Sequence, residues 1–86
     1  MAHEEEVARA STVQARYEQD LLKKAHVVGV GVGLAKKAGQ LTQQVCLIVM
    51  VDKKVPLSQL APEDRIPAEL DGVCTDVQET GMFTAQ

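Results

Sequence analysis

The alternation of apolar and polar positions is strongest between Val27 and Lys54, which read VVGVGVGLAKKAGQLTQQVCLIVMVDKK. In the first part, Gly29, Gly31 and Gly33 alternate with Val28, Val30 and Val32. Successive strand side chains point to opposite faces, so this pattern predicts one face of glycine and one of valine. In the second part, Val45, Cys46, Leu47, Ile48, Val49, Met50 and Val51 are apolar without a break. Such a run suits a strand covered on both sides. The link Ala35 to Gln44 carries Lys36, Lys37, Gly39 and Gln40 and reads as an exposed hairpin loop. A β-hairpin with strands over 27–34 and 44–53 is therefore expected.

Upstream the period changes to that of a helix. Val7, Ala10, Val13, Tyr17 and Leu21 recur at three- and four-residue steps and predict a helix over 4–24. Glu4, Glu5 and Glu6 would sit in its first turn and Lys23 and Lys24 in its last, both favourable to the helix dipole. The bare glycine face is the expected seat for this helix, because a strand without side chains allows close approach. Downstream, prolines at 56, 62 and 67 punctuate a crossover over 55–71 with short helical turns, pinned by Leu57, Leu60, Ile66 and Leu70. Asp71-Gly72 signals a turn. Val73, Thr75 and Val77 then alternate with Cys74, Asp76 and Gln78, a third strand over 73–79 with one wetter face. A tail over 82–86 carries Met82 and Phe83. The sum is a single α+β domain in two layers, an N-terminal helix packed on a three-stranded sheet in the order α-β-β-short α-β. The place of the third strand, beside either hairpin strand, stays open.

Composition narrows the function more than it defines it. Tyr17 and Phe83 are the only aromatic residues, so the core must be aliphatic, and a domain this small commonly gains buried area by oligomerising. A net charge of −3, with lysines in scattered pairs, argues against nucleic acid as a partner. The N-terminus MAHEEEVARA is acidic where a secretory signal would be basic, and no apolar run approaches the ~20 residues of a membrane span. A cytoplasmic protein is expected, with Cys46 and Cys74 as free buried thiols.

No chemistry announces itself. The strict alternation at Gly29, Gly31 and Gly33, followed by a turn, does not fit a dinucleotide fingerprint, and no phosphate-loop lysine follows. The histidines are His3 and His26, and the nucleophile candidates Ser11, Ser58, Cys46 and Cys74 have no base and orienting group at a recognisable spacing. His26, Cys46, Cys74 and Asp76 could form a metal or thiol site only by tertiary accident, since zinc sites normally show paired ligands. No cofactor is expected.

One resemblance is specific to the domain. The string VVGVGVG, then VDKKVPLSQLAPEDRIPAELDGVCTDVQETG, resembles a segment that precedes the catalytic domain in some bacterial trypsin-like serine peptidases. The matching positions are Val28 to Gly33, Lys53, Lys54, Pro56, Ser58, Leu60, Ile66, Pro67, Asp71, Gly72, Val73, Thr75, Asp76, Val77, Glu79 and Gly81. They span about Leu21 to Phe83, with Cys74 standing where proline is expected in relatives. In those peptidases the triad lies in the downstream barrel, which this sequence does not include, so the resemblance implies an accessory domain and no activity. The expectation is a non-catalytic interaction or self-assembly module, a homo-oligomer. The alternative is an accessory subunit of a separately encoded trypsin-like peptidase. The expected packing and interface residues are Gly29, Gly31, Gly33, Val45, Leu47, Val49 and Val51, the opposite set Cys46, Ile48 and Met50, and the tail residues Met82 and Phe83.

Overall fold

The structure, a computed structural model, describes residues 4–80. It is an α+β fold in which helix α1 (Glu4–Leu22) packs on a mixed four-stranded sheet. The strands are β1 (Val27–Lys37), β2 (Gln40–Val51), β3 (Glu69–Leu70) and β4 (Val73–Glu79), in spatial order β1-β2-β4-β3. β1 and β2 pair antiparallel, β2 and β4 parallel, and β3 and β4 antiparallel. The class agrees with the reading of the sequence, with one strand more. β3 has two residues and pairs Glu69 with Cys74 and Leu70 with Val73. Met82 and Phe83 lie outside the described residues.

The hairpin is longer and its loop shorter than expected. Strand pairing runs on through Lys36↔Leu41 and Lys37↔Gln40, leaving only Ala38 and Gly39 as the turn. Both have positive φ, 53° and 79°, which defines the two-residue turn that matches strand twist. The polar residues there mark solvent exposure, not loop. Asp71 (49°) and Gly72 (83°) repeat the device between β3 and β4. Ala38 is the ill-suited member, since an L-residue with a plain methyl is strained at positive φ. Ala38→Asn should raise the unfolding free energy by about 0.5–1 kcal/mol, read as a higher urea midpoint at unchanged slope.

The helix sits on the valine face, which corrects its expected seat on glycine. Ala10, Val13 and Leu21 of α1 form one buried cluster with Leu47, Val49 and Val73, joined by Tyr17, Val27, Val30, Val32, Val45 and Val77. Pairs such as Val30↔Val49 and Val32↔Leu47 put the bulk of both hairpin strands on the same side. The helix follows the larger apolar area available there. Val7, first in the stripe, is exposed, and α1 ends at Leu22, so Lys23 and Lys24 fall just beyond it.

The glycine face has its own small core. Ala35, Cys46 and Ile48 are buried on it, with Met50 and Cys74 packed against them. The glycines make room for β2. A Cβ on Gly29 would lie 3.0 Å from Met50 Cε, and one on Gly33 3.1 Å from Ile48 Cγ1. The register shifts between Leu34 and Lys36, and beyond it the Lys36 backbone N–H donates to the Asp76 carboxylate at 2.9 Å. β1 and β4 are not neighbours, so this bond shows the hairpin bending across the face. Self-coverage, not a partner, buries Cys46 and Ile48.

The two cysteines form a disulfide, contrary to the expected free thiols. Leu47 pairs with Thr75 in the parallel ladder, so one step back Cys46 faces Cys74, at a Cα–Cα distance of 4.9 Å. That separation lies within the usual disulfide range.

Candidate functional site

The expected packing and interface residues on β2 belong to the cores on its two faces. Leu47 and Val49 are fully buried and Val51 nearly so, on the helix side with half-buried Val45. Cys46 and Ile48 are buried on the other side, and half-buried Met50 covers Gly29 and Gly31. β2 therefore has both faces covered within the single chain. Nor do the residues proposed for metal or thiol chemistry meet: Cys46 and Cys74 are joined to each other, while His26 Nδ1 faces Asp52 Oδ1 at 3.0 Å. Among the described residues, no three His, Cys, Asp or Glu side chains group to hold a metal ion.

What the structure leaves open is the outer edge of β1, a feature that needed strand order to be seen. The Val51 carbonyl accepts the Thr80 N–H at 2.9 Å, so the Val51 peptide groups point toward β4. Alternation along β2 extends this to Val49, Leu47 and Val45. Their partners on β1, Val30, Val32 and Leu34, must then turn their N–H and C=O groups away from β2. Gln14 Nε2 of α1 donates to the Val30 carbonyl at 3.0 Å, and Asp76 takes the Lys36 N–H. Among the described residues, the outward peptide groups of Val32 and Leu34 have no partner. From Val28 to Leu34 this edge carries no charge and no proline, the usual protections of a sheet edge. Val28, at the register shift that opens the strand, is 46% exposed.

Two polar clusters tie α1 and the α1–β1 link to the rest of the chain. The Asp71 carboxylate accepts from Tyr17 Oη (3.0 Å) and from Arg16 Nη1 (2.9 Å), tying α1 to the β3–β4 turn. The Asp71 hydrogen bond, with a smaller contribution from burial, raises the Tyr17 phenol above its ordinary 10.0. A raised folded-state value means that this contribution is complete below the unfolded value and disappears as pH rises through the folded one. The urea midpoint of the wild-type chain should therefore approach that of Tyr17→Phe only on the alkaline side of pH ~10. A constant gap between the two across that range would exclude the linkage. At the other end, the Ala25 N–H donates to Asp64 Oδ1 (3.0 Å) and Lys24 Nζ to the Glu63 carbonyl (2.6 Å), pinning the crossover to the α1–β1 link.

Between that crossover and the sheet lies an apolar bowl of about 220 Å³, floored by Val51, Val55, Leu60, Ile66 and Val77 and rimmed by Lys53, Lys54 and Asp64. It is smaller than the ~300–1,000 Å³ of ordinary ligand pockets. Among the described residues, no helix is long and apolar enough to cross a membrane.

No protein-family model matches the chain, and no curated protein matches it.

Proposed function

We propose that this chain is a non-catalytic assembly module that acts by adding a strand to its sheet. The unpaired outward peptide groups of Val32 and Leu34, on an uncharged stretch of an 11-residue edge strand, carry this reading. Edge strands of this kind pair readily, main-chain hydrogen bonds supplying affinity and alternate side chains supplying selectivity. The test is native mass spectrometry and light scattering at high micromolar concentration. A mass at least twice the 9.3 kDa of the chain is expected, and a strict monomer would overturn the reading.

The resemblance to the pre-catalytic segment of trypsin-like peptidases supports a second reading, an accessory subunit for a separately encoded peptidase. The β1 edge suits an extended segment of such an enzyme as it suits any strand. Co-purification of a peptidase from the native host would support it, and repeated recovery of the chain without one would sink it.

A further inference from the structure

We infer that the strand added at the β1 edge is β1 of a second copy, paired antiparallel across a two-fold axis at Val32. This inference rests on the assembly reading above and names its partner and register.

Antiparallel pairing of a strand with itself is closed and self-complementary, so one surface supplies both sides. The outward residues alternate, which restricts the register. With Val32 opposite Val32 of the second copy, Val30 faces Leu34 and Leu34 faces Val30. These pairs bring together the outward N–H and C=O groups of all three residues. The Val30 carbonyl, which already accepts from Gln14, has a second lone pair for Leu34.

The side chains agree with this register on both faces. On the helix side, Val30, Val32 and Leu34 would meet their counterparts as aliphatic cross-strand pairs, a combination that stabilises sheets. Val30 and Val32 already pack against the helix-side core, so the apolar layer would continue across the seam. On the other side Gly31 would face Gly33, with no side chain on either. The pairs end at Val30 and Leu34, because the Lys36 N–H is held by Asp76 of its own chain, so the lysines at the end of β1 stay outside the seam. Val28, exposed at the register shift just outside these pairs, would lie at the end of the seam. The helix packs over the fully buried Leu47 and Val49 of β2, with Val30 and Val32 half-buried at its margin, so the two helices would flank the seam, one on each side.

The test uses the full chain in two measurements. In the first, a sample mixing isotope-labelled and unlabelled copies is examined for contacts between copies by NMR. The proposed register predicts a close Hα–Hα contact between Gly31 and Gly33, the non-hydrogen-bonded pair beside the axis. In the second, Leu34→Pro removes an outward N–H without removing a β1–β2 hydrogen bond, and Val28→Lys adds charge at the exposed end of the edge. Each variant should weaken self-association about tenfold or more while keeping the folded amide spectrum. A dimer whose inter-copy contacts lie elsewhere, or one indifferent to both substitutions, overturns this inference and leaves the assembly reading standing. A wild-type chain that is monomeric at high micromolar concentration overturns both.

Discussion

Reduction of the Cys46–Cys74 disulfide is expected to lower the unfolding free energy by about 3–4 kcal/mol. The bond joins positions 28 apart in sequence, and the loss of chain entropy in the unfolded state at that separation sets the magnitude. Total stability for a small domain is only ~5–15 kcal/mol, so the effect is a large fraction of the whole. Urea unfolding with and without a strong reductant measures it, and Cys46→Ala/Cys74→Ala supplies the same comparison without reductant. Coincident midpoints would show that the cross-link contributes nothing. Because the bond joins β2 to β4, its loss should appear first as faster amide exchange along β4, while the β1–β2 hairpin, closed by a two-residue turn, keeps its protection.

The second large effect belongs to Leu47. Its side chain is fully buried at the centre of β2, in the cluster that α1 shares with Val49 and Val73. Leu47→Ala should cost about 3–4 kcal/mol, combining lost transfer energy with the cavity left under the helix. Met50, on the opposite face, is half-buried beside glycine and has room to relax, so Met50→Ala should cost about 1–2 kcal/mol. Thermal or urea unfolding of the two variants side by side ranks the faces. Equal costs would mean that the glycine-side core bears as much of the fold as the helix side.

Much of the fold was legible in the chain because its elements have clean periods. The stripe at Ala10, Val13, Tyr17 and Leu21, the alternation from Val73 to Glu79 and the Asp71-Gly72 turn each specify an element without help from elsewhere. The choice of face for the helix was not legible, because β2 is apolar on both sides. It was decided by cross-strand register, which sets Val30 and Val32 beside Val49 and Leu47 rather than beside Ile48 and Met50. The disulfide depends on register too, between strands separated by the whole crossover. β3, at two residues, is too short to leave any periodic signal. Of the candidate site, the uncharged stretch from Val28 to Leu34 was visible as composition. That it forms an outer edge required the strand order, which no local pattern of apolar and polar residues encodes.

The same strand order has a kinetic side. β1 and β2 meet through a two-residue turn, a local closure, whereas β2 and β4 meet only after the chain between Val51 and Val73 has looped back. Closing a flexible loop costs entropy that grows with its length, so the parallel pairing is the slow, non-local step of folding. Until it is complete, β2 shows solvent its far edge as well as the hairpin its near one, and the nascent chain carries two open edges where the finished fold keeps one uncharged edge on β1. Conditions that delay β4, reducing ones included, would therefore lengthen the interval in which β2 itself is open to pairing with the wrong strand.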